Sequence, residues 1–134
     1  MNTGGYVKLE IKVQEKLSNG RVQFVSAYGE CIGVWADEEP EPGRKYTIKV
    51  TVPDKVSVEA LQESDEKHCM LEADDEGVFI VGQLEDYEED GFAVLRLEES
   101  IIGFDTNFSE EVERLHGKFI ELTVPKIIVE NVGN

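Results

Sequence analysis

Basic residues are scarce in this chain. It holds 13 Lys and Arg against 29 Asp and Glu, a formal net charge of -16 over 134 residues. Proteins that bind nucleic acid neutralise phosphates with Lys and Arg, so this balance disfavours a polyanionic partner and favours a basic protein. Histidine is limited to His68 and His116, which leaves few general bases for nucleophilic catalysis. The 2 cysteines, Cys31 and Cys69, match no zinc or redox spacing. Both are expected to be reduced thiols, with Cys31 buried as a small apolar residue. No run approaches the roughly 18 apolar residues of a membrane-spanning helix. The opening MNTGGYVKLEIKV has neither the basic start nor the apolar run of a secretion leader, so a cytosolic location is expected. No Gly-rich phosphate loop is found.

What is present suits a folded domain. Hydrophobic residues make up 40% of the chain and charged residues 31%, a globular composition. The length fits one ordinary domain or two very small ones. Charge is unevenly placed. Residues 1–71 hold 9 Lys and Arg against 12 Asp and Glu, and residues 72–134 hold 4 against 17.

The chain also repeats itself. KVTVPDKVSV (49–58) is echoed by ELTVPKIIVE (121–130). At an offset of 71, VKLEIKVQEKLSNG lies over VFIVGQLEDYEEDG. Val7 then meets Val78, Leu9 meets Ile80, Val13 meets Leu84, and Asn19-Gly20 meets Asp90-Gly91. Asn-Gly and Asp-Gly accept the positive φ of tight antiparallel turns. A one-residue slip next places Ile32-Gly33 on Ile102-Gly103, and a further shift superimposes the Thr-Val-Pro segments. Ordered matches with turn residues in equal slots indicate an internal duplication.

Each unit reads as five strands. They fall at 6–14, 21–28, 31–36, 46–52 and 55–60, then at 78–85, 92–98, 100–105, 118–124 and 127–131. The first alternates cleanly: Val7, Leu9, Ile11 and Val13 on one face, Lys8, Glu10, Lys12 and Gln14 on the other. Its counterpart is apolar on both faces, from Val78 to Val81, and is expected to be covered on both sides. Pro53 and Pro125 separate strands four and five. Ser109 and Gly117 can bound a short helix between strands three and four of the second unit. The prediction is an all-β fold, an internal duplication of a five-stranded antiparallel OB-like barrel unit with at most one short helix. Residues 1–60 are unit one, 61–76 a polar joint and 77–134 unit two. Units this small are expected to share one compact structure.

Candidate chemistry is sparse. Cys69 follows His68, but sequence neighbours do not present a thiol to an imidazole. Glu98-Glu99 and Glu110-Glu111 read as solvated surface unless burial splits their pKa values. DYEEDG (86–91) imitates the start of an EF-hand loop, yet its twelfth position is Leu97, not Glu. No metal or cofactor is expected. Phe24, Tyr28, Trp35, Tyr46 and Phe104 offer aromatic surface for base stacking, but the positive groove that accompanies stacking is missing. The acidic clusters carry the sharper expectation. They are Asp74, Asp75 and Glu76; Glu85, Asp86, Glu88, Glu89 and Asp90; and Glu110, Glu111 and Glu113. Brought together, with Trp35 as a partly exposed contact, they would form a negative field that speeds docking to a basic protein and imitates a phosphate backbone.

The stretch GFAVLRLEESIIGFDTNF…LHGKFIELTVPKIIVENV resembles small acidic β-rich bacterial toxin-immunity proteins. In these an Arg-Leu strand, an acidic turn, an Ile-rich strand and an LxG-x-hydrophobic strand follow one another. The resemblance covers about a third of the chain and assigns no inhibitory residue. It implies a cytosolic, non-enzymatic inhibitor that docks on a basic toxin such as a nuclease. The alternative is an OB-type binder of single strands or a small ligand.

Overall fold

Alternation builds the first strand. In β1 (Leu9–Lys16), Leu9, Ile11 and Val13 are buried while Glu10, Lys12 and Gln14 face solvent. A computed structural model describes residues 9–133; Tyr6, Val7 and Lys8, the first residues of the strand expected at 6–14, lie outside them. β2 (Arg21–Ser26), β3 (Gly29–Trp35) and β4 (Lys45–Thr51) follow. β4 returns to pair with β1, and a strand from the other end of the chain, β11 (Ile128–Gly133), fills the space between β3 and β4. The result is a closed barrel in the order β1-β2-β3-β11-β4. β3 and β11 run parallel, and every other neighbouring pair is antiparallel. This is the expected five-stranded OB-like barrel, closed by a strand from outside residues 1–60.

The second sheet comprises β5 (Gln62–Glu63), β6 (Met70–Asp74), β7 (Gly77–Tyr87), β8 (Phe92–Leu97), β9 (Ser100–Asp105) and β10 (Phe119–Val124). Its order is β5-β10-β7-β8-β9, with β6 also paired to β7. This sheet is not a closed five-stranded barrel. The place beside β9 is taken by the connection after Pro53: Val56 N–H donates to Asp105 O at 2.8 Å, and the Thr106 hydroxyl donates to Val56 O. The segment expected as a strand at 55–60 therefore forms no strand but a 3-10 turn at Val58–Ala60, and the two-residue β5 follows it. The expected joint at 61–76 is not only polar. Leu61, Ser64 and Leu71 are buried, and it supplies β5 and β6.

The offset of 71 recurs in the backbone. The β1–β2 ladder shifts register between Val13 and Glu15, and the β7–β8 ladder shifts between Leu84 and Asp86. The hairpin bond Leu17 N–H to Arg21 O (2.8 Å) has its counterpart in Glu88 N–H to Phe92 O (2.9 Å). The expected one-residue slip is absent, because β2 and β8 both have six residues and both enter two-residue turns. Ile32-Gly33 and Ile102-Gly103 are not equivalent. Gly33 is buried, and a side chain there would strike Val129, whereas Gly103 lies under the ring of Phe92.

One apolar cluster joins the two sheets. It takes Ile11, Phe24, Ile48 and Val129 from the barrel and Ile80, Leu95, Phe104 and Leu122 from the other sheet. Between them, Leu71 N–H donates to Tyr28 O at 3.0 Å, and Tyr28 Oη donates to Leu97 O at 2.9 Å. On β7, Val78 and Ile80 enter this core. Val81 is buried on the opposite face, where Met70 and Glu121 flank it in register, while Phe79 is half-buried. Among the described residues no helix is long and apolar enough to cross a membrane.

Leu95 is fully buried in the second sheet, and Trp35, the single tryptophan, sits in the barrel. Leu95→Ala is expected to cost about 2–5 kcal/mol. If the core is shared, Trp35 emission and far-UV circular dichroism will show the same lowered urea midpoint. A Trp35 transition left where it was would mean that the sheets unfold separately.

Candidate acidic docking site

The length of β7 decides which acids can meet. Its 11 residues span about 35 Å at the strand rise. Asp74, Asp75 and Glu76 lie before it, and Glu85, Asp86, Glu88, Glu89 and Asp90 lie at its far end. The three clusters therefore do not form one face. The first turn instead borders a cleft of about 290 Å³ lined also by Arg21 and Lys126, so opposite charge faces it.

The other two clusters do share one end. Residues 106–118 are strapped along the far half of β7. Thr106 N–H donates to Gly91 O at 3.0 Å, Gly117 N–H to Leu84 O at 2.7 Å, and Leu84 N–H to Lys118 O at 3.0 Å. Gly91 allows the first contact, because it holds φ at 95° and any Cβ would meet Thr106 O at 1.8 Å. Buried Tyr87 is the central fastener. Its Oη donates to Asn107 O at 2.5 Å and accepts from Ser109 N–H at 2.8 Å, and its ring stacks on Phe108 at 5.2 Å. Ser109 then caps α1 (Glu110–Glu113), accepting from Val112 N–H. Glu110, Glu111 and Glu113 are exposed in the first turn, where the free N–H groups of the helix favour negative charge.

Two features of this end escape the sequence patterns. Phe108 is 37% exposed amid the carboxylates. Arg96 holds Glu85 through a two-point pair, with Nη2 to Oε2 at 2.9 Å and Nε to Oε1, and also reaches Glu98 O at 3.0 Å. That hydrogen bonding holds the Glu85 carboxyl below the usual carboxylate range. Glu85 is thus an internally paired acid. Cross-strand pairing of Gln83 with Arg96 set two residues from Glu85 was the available signal.

The remaining candidates separate from this end. Trp35 is buried at 8% exposure, not partly exposed as expected. Its Nε1–H donates to Glu38 O at 2.7 Å, and Tyr46 packs edge-on at 5.1 Å. It lies in the barrel, apart from the acidic clusters. Phe24 and Phe104 are core residues, while Tyr28 and Tyr46 are half-buried. His68 is exposed and lies 3.7 Å from Glu66, whereas the Cys69 thiol points to Arg96 O at 3.7 Å. Burial pushes the Cys69 thiol up, and pushes Cys31 to about 12. Both shifts oppose thiolate formation. Asp90, the last acid of the EF-hand-like stretch, caps its own turn by accepting from Phe92 N–H at 2.9 Å. Among the described residues no three His, Cys, Asp or Glu side chains are grouped to hold a metal ion.

No family model, no curated protein and no solved structure matches the chain.

Tyr87→Phe keeps the ring stack and strands Asn107 O and Ser109 N–H. A loss of about 1–3 kcal/mol is expected, with faster amide exchange across residues 107–117; unchanged exchange there would remove Tyr87 as the fastener. The Glu85 pairing has a signed pH effect. Its carboxyl titrates lower in the folded chain than unfolded, so its contribution is present above the ordinary Glu pKa of about 4.3 and disappears as pH falls through the folded value. Side-chain NMR titration is expected to show Glu85 returning to the ordinary range in Arg96→Gln.

Proposed function

We propose that this chain is an acidic protein-binding module that docks a basic partner through the hairpin-and-helix end of its second sheet. The observation that carries the reading is the strapping of residues 106–118 onto β7, which gathers Asp86, Glu88, Glu89 and Asp90 with Glu110, Glu111 and Glu113. A field of one sign raises association rates with an oppositely charged protein. Phe108 supplies an exposed apolar contact inside the charged rim, the arrangement that anchors protein interfaces. Arg114 and Lys118 lie on the same connection and temper the field without reversing it. The resemblance to immunity proteins extends the proposal to a toxin, such as a nuclease, whose basic cleft the acids would occupy. Nucleic-acid binding is disfavoured by the same charge and by the burial of Phe24, Phe104 and Trp35.

The test compares the native chain with a variant carrying Glu88→Gln, Glu89→Gln, Glu110→Gln and Glu111→Gln. Host extract is passed over each, and retained proteins are identified by mass spectrometry. A basic protein held by the native chain and lost by the variant is expected. Its association rate should fall at least about tenfold between roughly 50 mM and 500 mM salt. Asp74→Asn with Asp75→Asn should change little. Equal retention by both chains, with a rate indifferent to salt, would defeat the proposal.

A further inference from the structure

Both chain segments that follow Thr-Val-Pro leave their own sheet. After Pro53 the chain passes to the second sheet, where Val56 and Thr106 bond and β5 pairs with β10. After Pro125 it passes to the barrel, where Val34 N–H and Ala36 N–H donate to Ile127 O and Val129 O, both at 2.9 Å. Each sheet is thus completed by a segment that the other supplies. Ile127 and Val129, both fully buried, seal the barrel.

We propose that the slot between β3 and β4 is a strand-exchange site, and that a second copy of this chain can fill it with its own β11. The argument is complementarity. A β11 from another molecule would make the same backbone bonds, bury the same side chains and require no new contact. The connection from Val124 to Ile128 is only three residues long. It already runs between sheets without folding back, and Pro125 keeps the residue before it extended. Short connections of this kind are where swapping occurs. The balance is set by concentration. A short tether holds β11 at an effective concentration on the order of millimolar, so dilute protein stays closed. Protein refolded at about 1 mM can close between chains and then remain trapped, because release requires opening a barrel. The exchanged particle would carry two acidic ends.

Thr51 and Ile128 are register partners, and antiparallel partners lie within disulfide reach. Thr51→Cys with Ile128→Cys, in a Cys69→Ser background, is refolded from a mixture of isotope-labelled and unlabelled chains at about 10 μM and about 1 mM. Oxidation should give monomers with the link inside one chain at the low concentration. At the high concentration a dimer should appear whose linked peptides pair labelled with unlabelled chains. Monomer alone at about 1 mM, or dimers linked only within chains, would overturn the proposal. The native chain, refolded alongside and sized by light scattering, should show the same dimer; a native chain that stays monomeric would also overturn it.

Discussion

The structure depends on one strand arriving from elsewhere. Four strands, β1 to β4, fold locally and leave the edges of β3 and β4 open. Open edges expose unpaired N–H and C=O groups and invite unwanted pairing. β11 covers both edges at once, parallel to β3 and antiparallel to β4. Its delivery constrains its surroundings. Pro125 must sit where no ladder N–H is needed. Gly77, at φ 143°, must lack a side chain because a Cβ would lie 2.1 Å from Val124 O.

The reverse crossing at Val56 ties the first half of the chain to the second sheet. A unit of about 60 residues buries too little surface to be robust alone, and this chain must also offset the self-repulsion of -16 charges. Sharing strands turns two marginal cores into one cluster. The acids are held off that cluster. Of the 29 acids, 11 lie in the β6–β7 turn, the β7–β8 hairpin and the first turn of α1, where solvent screens them.

Local patterns in the sequence carried the strands well. The alternation of β1, the paired turns at Asn19-Gly20 and Asp90-Gly91, and the Ser109 cap all have short-range causes, and all appear in the fold. The failures share a different cause. A β-rich segment after a proline does not state which sheet it will enter, so 55–60 read as a local strand although its partners are Asp105 and Thr106. The Ile-Gly match at 32–33 and 102–103 suggested a slip because composition ignores the pleat. A shift of one residue would turn every side chain to the wrong face, and the burial of Cys31 and Ile102 on the inward faces shows the register kept. Trp35 read as partly exposed, yet the Glu38 carbonyl and Tyr46 hold it inside.

The acidic corner has a counterpart in the barrel, where Asp37, Glu38, Glu39 and Glu41 are accompanied by Arg44 and Lys45, and the strands that carry the two connections differ at one position. The bulges after Val13 and Leu84 are equivalent, and each turns two successive polar residues outward: Gln14 and Glu15 in β1, Glu85 and Asp86 in β7. The strands then diverge. β1 continues with Lys16, exposed and ion-paired to Glu39 at 3.1 Å. β7 continues with Tyr87, buried and hydrogen-bonded to Asn107 and Ser109. Backbone bonds hold the connection in both sheets, Gly43 N–H to Val13 O at 2.7 Å matching Gly117 N–H to Leu84 O, and to these Lys16 adds only a solvent-screened pair that contributes little. The buried phenol of Tyr87 adds two hydrogen bonds and a ring stack, and the bound connection starts a helix whose first turn carries three glutamates. The same backbone device carries a corner of mixed charge in one sheet and a concentrated negative one in the other.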